Sequence, residues 1–122
     1  MPSKKRLFGD MGENLSCKYL KNAGYSILAR NYQVKFGEID IIAKKDDILV
    51  FIEVKSSNHT SNITPEENFT KNKLAKLLKT IEIYMISNKI PLNATHRIDL
   101  IAVILNKSTY KASLKHFKNI IS

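Results

Sequence analysis

Asp40, Glu53 and Lys55 have the residue types and spacing of a metal-assisted site. They lie in two β-type runs, Gly37-Glu38-Ile39-Asp40-Ile41-Ile42-Ala43 and Val50-Phe51-Ile52-Glu53-Val54-Lys55. Strand side chains repeat every two residues, so Glu53 and Lys55 share one face. A charge inside an apolar strand is costly unless it is paired or bound to metal, so these charges point to chemistry. Between the runs stands Lys44-Lys45-Asp46-Asp47, with Asp46-Asp47 the natural tip of a hairpin. That tip sets Lys45 against Ile48 and Asp40 against Glu53, with Cβ atoms roughly 4.5–5.5 Å apart. Carboxylates that close repel, and one keeps its proton unless a cation sits between them. A hard divalent ion such as Mg²⁺, held by one or two carboxylates plus water and phosphate oxygens, suits such a pair. The same register sets Lys55 opposite Glu38. A four-residue loop with the same centre keeps both pairs, whereas an odd-length loop shifts them.

The elements that position these residues follow from periodicity and punctuation. Asp10 can cap a helix running to about Ala23 and closed by Gly24, with Met11, Leu15, Leu20 and Ala23 as its apolar stripe. Glu13 and Lys18 then fall off the stripe's centre. Tyr25 to Asn31 is expected as a first strand, followed by the hairpin of Gly37 to Lys45 and Ile48 to Lys55. Residues 56–63 form a polar, turn-rich stretch without periodicity. Thr64-Pro65-Glu66-Glu67 combines an N-cap, a proline at the first helical position and a glutamate three residues after the cap. That helix pauses near Thr70, and Leu74, Leu77, Leu78, Ile81 and Met85 give the spacing of a core-facing helix. Lys71, Lys73, Lys76 and Lys79 occupy the rest of its surface, either solvated or facing a phosphate backbone. The run from Arg97 to Leu105 is apolar on both faces, as a central strand requires, and Tyr110 to Leu114 alternates as an edge strand. The fold expected is α/β, in the order α-β-β-β-α-β(-β), a mixed sheet flanked by helices.

At 122 residues the chain has the length of a single domain, preceded by a basic arm over residues 1–9 that carries Lys4, Lys5 and Arg6. Lysine and arginine number 20 against 11 acidic residues, a formal charge of +9. That excess favours a polyanionic partner, nucleic acid before an acidic membrane surface. Cys17 is the only cysteine, which excludes an intrachain disulfide and a thiolate zinc cluster. The three histidines, His59, His96 and His116, are far apart in sequence and none has metal-ligand spacing. No secretion-type apolar core follows the basic start, and no apolar run approaches the roughly 20 residues that span a bilayer. A cytoplasmic protein without a membrane partner is expected.

The ordered set of motifs resembles the PD-(D/E)xK nuclease superfamily, with its restriction-endonuclease-like core. Within it, the chain is similar to the YraN family of small bacterial proteins, distantly similar to archaeal Holliday-junction resolvases. The features that carry the resemblance are Gly12-Glu13, Tyr19-Leu20, Gly24-Tyr25, Arg30-Asn31, the segments 37–43 and 51–55, Lys73, and Arg97-Ile98-Asp99. The resemblance implies a Mg²⁺- or Mn²⁺-dependent nuclease acting on DNA, including branched or single-stranded DNA. It implies Asp40 and Glu53 as metal ligands, with the Val54 backbone carbonyl as a third. It also implies Lys55 as the group that positions the attacking water, and Glu13 as a further carboxylate. Two positions depart from the family pattern. Ser56-Ser57 stands where the family has x-Arg after Glu-x-Lys, and Ser16 stands where it has alanine.

Each residue also has a structural reading. Glu53, Lys55 and Asp40 fit surface ion pairs on a solvated sheet face as an alternative. Glu38 is expected to pair with Lys55 across the hairpin, and Glu13 equally fits charge complementation early in a helix. Arg97 and Asp99 are expected as a structural pair, Cys17 as a small buried hydrophobe. Lys71, Lys73 and Lys76, with Lys4, Lys5 and Arg6, are the candidate nucleic-acid contacts. The functional alternatives are a DNA nuclease, active as a monomer or a homodimer, and a non-catalytic nucleic-acid-binding module on the same fold.

Overall fold

The computed structural model describes residues 3–58, 63–106 and 108–121, with the side chains of Lys4 and Lys5 outside that set. The order is α1 (Lys4–Asn22), β1 (Ser26–Val34), β2 (Gly37–Lys45), β3 (Ile48–Asn58), α2 (Pro65–Asn68), α3 (Lys71–Ser87), β4 (His96–Asn106) and β5 (Lys111–Phe117). The strands form one five-stranded sheet in the order β1-β2-β3-β4-β5. β1, β2 and β3 make an antiparallel meander, β3 and β4 are parallel, and β5 returns antiparallel along the edge. The parallel pair needs a crossover, and α2 with α3 supplies it. One face of the sheet packs on Cys17 and Leu20 of α1, the other on Leu77, Ile81, Tyr84 and Met85 of α3. Among the described residues no helix is long and apolar enough to cross a membrane.

The hairpin register is as expected, with Lys45 facing Ile48 and Ile41 facing Ile52. Asp46 and Asp47 both take positive φ, 50° and 64°. Left-handed values at both central residues define the tight turn whose twist matches that of the strands. Thr64 and Thr70 cap α2 and α3 through bonds from the Glu67 and Lys73 amides. Ser56, Ser57 and Asn58 continue β3 instead of opening a loop, because β4 offers backbone partners as far as Leu105. Of the remainder of that expected loop, 59–62 lie outside the described residues and Ile63 belongs to no helix or strand.

Several boundaries and faces differ from the sequence reading. The first strand runs to Val34, and the tail strand to Phe117. α1 begins at Lys4, not at Asp10, because the Ser3 hydroxyl accepts the Arg6 amide at 3.1 Å and caps the helix earlier. Residues 4–9, expected as an arm, are therefore helical. α1 also presents a different face: Gly12, Glu13, Ser16, Cys17 and Leu20 are buried, while Met11 is 53% exposed. Gly12 sets that face. A Cβ there would collide with the Ser56 side chain of β3, so glycine permits the helix to lie against the strand. The Ser16 hydroxyl donates to the Gly12 carbonyl at 2.8 Å. In α3 the buried stripe takes Thr80 and Tyr84 and leaves Leu78 45% exposed. Thr80 lies beneath Gly37, where a side chain at 37 would strike its hydroxyl.

The C-terminal half is tied to α1 by a polar network around Asp99, which is fully buried. Arg97 donates to both carboxylate oxygens of Asp99, at 3.0 and 3.3 Å from Nε, and to the Tyr25 hydroxyl at 2.6 Å. His116 Nε2 lies 2.7 Å from Asp99 Oδ2, and its Nδ1 lies 2.9 Å from the Tyr19 hydroxyl. The Asn119 amide donates to Asp99 Oδ1 at 2.9 Å. Burial alone would raise the Asp99 pKa. The bonds from His116, Arg97 and Asn119 outweigh it and hold the carboxyl below its ordinary range.

Two outcomes follow. Gly12→Ala should lose roughly 1–3 kcal/mol in urea unfolding, and Ser56→Gly in the same chain should restore most of it. A carboxyl with a depressed folded pKa stabilises fully above its unfolded value and loses that contribution as the pH falls through the folded one. Asp99→Asn should therefore cost roughly 3–5 kcal/mol at pH 7, with the gap to wild type narrowing below about pH 4, as urea curves at both pH values will register.

Candidate functional site

The hydrogen-bonded ladder between β2 and β3 ends at Ile41 and Ile52, one position before Asp40 and Glu53. The cause is visible in the side-chain alternation. Ile39 and Ile42 both pack toward α3, while Ile41 and Ala43 pack toward α1. A regular strand repeats every two residues, so a three-residue spacing on one face means that the alternation slips at Asp40. β1 slips with it. Arg30 reaches Glu13 on the α1 side, Tyr32 packs on Tyr84 on the α3 side, and Asn31 between them has a φ of 52°. β3 does not slip, because β4 pairs with it through Asn58. The two strands of the hairpin therefore part at Asp40, over a firmly held Glu53-Val54-Lys55.

In the opening, Asp40 Oδ2 accepts the Val54 amide at 2.8 Å, replacing a backbone acceptor. The Asp40 and Glu53 carboxyls are near enough for each to perturb the other's ionisation. Burial first, and the Glu53 charge second, push the Asp40 pKa up to about 7, with smaller contributions from Glu13 and Glu38. The Val54 amide pulls the other way. Burial likewise raises Glu53, against the charge and hydrogen bond of Lys73. Two carboxyls that resist ionising together in one partly dry place are a configuration structural ion pairs avoid.

Asp40 opens into a cavity of about 440 Å³ between α1 and the meander, lined also by Glu13, Glu38, Lys55, Asp10 and Arg6. Glu13, expected off the apolar stripe, is only 7% exposed and is held by Arg30 Nε at 3.2 Å. Arg30 also donates to Asn14 at 2.7 Å, which fixes its guanidinium. Sequence reading gave Arg30 no role; its signal was the one charged residue in the first strand. Glu38 does not pair with Lys55. The ladder stops before reaching them, and Glu38 instead faces Gln33 of β1, 3.5 Å from its amide. Lys55 is exposed, with no ion pair among the described residues. Lys73 is not a free surface cation, since its ammonium pairs with Glu53 at 3.2 Å. Glu53 lines neither this cavity nor its neighbour. Lys71 and Lys76 are exposed on α3, apart from the cluster, and Arg6 stands at the cavity wall.

Among the described residues no group of three or more His, Cys, Asp or Glu side chains converges in ligating geometry. The oxygen pair of Asp40 and Glu53 is the donor set a cation would meet, with Val54 beside it.

Residues 12–103 match the Uncharacterised protein family UPF0102, a span that contains Glu13, Asp40, Glu53, Lys55 and Lys73. A UPF0102 protein of Campylobacter fetus is 47% identical over 107 residues, covering 88% of this chain and 92% of the relative. One of Campylobacter lari is 44% identical over 120 residues, 98% of each chain. One of Clostridium botulinum is 43% identical over 111 residues, 91% of this chain and 90% of the relative. The likeness extends over nearly the whole length, and the chain belongs to the uncharacterised protein family UPF0102, the YraN group that its motifs resemble.

Proposed function

We propose that this protein is a divalent-metal-dependent nuclease that hydrolyses phosphodiester bonds in DNA, within the PD-(D/E)xK superfamily. The observation that carries the reading is the electrostatic coupling of the buried Asp40 and Glu53 carboxyls at a strand divergence, with Lys55, which has no ion pair among the described residues, two residues on. Apposed, buried carboxyls are unfavourable unless a cation offsets them. The donor set fits Mg²⁺ or Mn²⁺, because Mg²⁺ needs only one or two carboxylates and fills its remaining positions with water and phosphate oxygens. A cation bound there would lower the pKa of a coordinated water and neutralise charge on the phosphoryl oxygens.

The chain's own residues supply the rest. Asp40 is aimed by the Val54 amide, and Glu53 is fixed by its strand pairing to β4. Lys55, exposed at the wall of the same cavity and without an ion pair among the described residues, would orient the attacking water and hold a phosphate oxygen. Glu13, clamped by Arg30, adds negative potential on the α1 side of the same cavity. The formal charge of +9 draws a polyanionic substrate. The second reading, a binding module without catalysis, draws on Lys73, which occupies Glu53, and on the serine at position 57 where the family has arginine.

Incubation with Mg²⁺ or Mn²⁺ and a panel of linear, flap, four-way-junction and single-stranded DNA should yield cleavage that EDTA abolishes. Asp40→Asn and Glu53→Gln should each lower the rate roughly 100–1,000-fold while leaving salt-sensitive DNA binding, and Lys55→Met should lower the rate as far and also weaken binding. Cleavage by none of the metal-loaded samples, or by the variants as fast as wild type, sinks the enzyme. A further outcome separates chemistry from packing. Asn at position 40 keeps an acceptor for the Val54 amide and gains a donor toward Glu53. Metal-free Asp40→Asn should therefore be more stable than wild type, by about 1 kcal/mol in urea unfolding.

A further inference from the structure

Glu53 already has a cation. Lys73 reaches across from α3 and sets its ammonium 3.2 Å from Glu53 Oε1. Lys55 stands on the same strand, two residues from Glu53, yet has no ion pair among the described residues. Asp40 has none there either. Among the described residues, Lys73 is therefore the single cation in ion-pair contact with the two carboxyls.

Its place in α3 is an unfavourable one for a lysine. Thr70 caps the helix and its hydroxyl accepts the Lys73 amide at 3.3 Å, so Lys73 stands in the first turn. Positive charge there opposes the helix dipole, and no acidic residue of that turn offsets it. Glu53, on the sheet, supplies the compensation. The two partners are unequally held. The Glu53 side chain is 17% exposed on a strand that β4 pins, whereas that of Lys73 is 42% exposed on a flexible stem. Phe69 offers the ammonium a second seat, with its ring centroid 5.8 Å away. When another cation arrives, Lys73 is the partner that can give way.

We propose that Lys73 competes with the divalent cation for Glu53, and so sets the metal concentration at which the site fills. The proposal rests on the nuclease reading for Asp40 and Glu53 as the ligand pair. An ammonium at 3.2 Å occupies a carboxylate oxygen of Glu53 and repels a dication at close range. Removing its charge should therefore tighten metal binding. Loss of a lysine that merely fixed Glu53 in place, or merely held substrate, would not.

Mn²⁺ is the probe, titrated into DNA-free protein at low salt and followed by the electron paramagnetic resonance of the free ion. Lys73→Met should bind it roughly tenfold more tightly than wild type. Lys73→Gln keeps a donor for Glu53 without the charge; it should shift the same way, and it covers the case in which Lys73→Met folds poorly. Lys73→Arg keeps the charge and should bind no more tightly than wild type. Lys79→Met removes the same charge from an exposed position farther along α3 and should leave the affinity unchanged. Without metal, Lys73→Met should melt below wild type, and the same excess of Mn²⁺ should raise its melting temperature by more. Equal or weaker Mn²⁺ binding by Lys73→Met and Lys73→Gln, or as large a tightening by Lys73→Arg or Lys79→Met, overturns the competition even if the wild type cleaves DNA. Specific tightening in a protein that cuts nothing supports the competition and removes the nuclease. Mn²⁺ binding by none of the samples removes both.

Discussion

The Val54 amide has no backbone acceptor on β2, because the ladder stops at Ile52, and the Asp40 carboxylate takes that place at 2.8 Å. Much of the molecule is arranged around this substitution of side chain for backbone. β3 can afford to lose a neighbour on one side because β4 holds the other through ten paired positions. β2 can turn away because β1 turns with it, at Asn31. The cavity exists because the strands part, and α1 roofs it because Gly12 lets the helix come down onto Ser56.

Two buried aspartates show how environment, not residue type, decides what a carboxyl does. Asp99 is surrounded by donors, and its charge is so well satisfied that the pKa falls below the ordinary range despite complete burial. Asp40 meets one amide and three carboxylates, and its pKa rises to about 7. Asp99 stabilises the folded chain by linking β4, β5 and α1. Asp40 costs stability, and a cost that persists in a folded protein is the usual mark of a functional group.

Local signals carried most of the fold into the sequence. The alternation and turn chemistry around Asp46 and Asp47 fixed the hairpin register, and threonine caps fixed the starts of α2 and α3. What failed depended on contacts between distant segments. Leu20 and Ala23 of the expected stripe do face the core, but the rest of the buried face of α1 is made of glycine, glutamate, serine and cysteine, which no hydrophobic periodicity can reveal. It is buried because β3 lies beneath it, and Leu15 and Met11 face outward for the same reason. The Glu38–Lys55 pair failed because counting assumes an unbroken ladder, and the slip at Asp40 has no signature in residue type. Lys73 was legible as a cation but not as the partner of Glu53, since that contact joins α3 to the sheet.

The turn at Asp46 and Asp47 is the part of the hairpin farthest from the carboxylates, and surface turns are where chains ordinarily gain and lose residues most freely. Here they cannot. With Lys45 locked to Ile48, every position down to Ile41 and Ile52 is counted from that tip. One residue more or fewer would shift β2 by one position against a β3 that β4 holds, and carry Asp40 away from the Val54 amide and Glu53. In this lineage, length drift should therefore be frozen at a solvent-facing bend whose side chains touch no substrate, while the identity of those side chains stays free to wander.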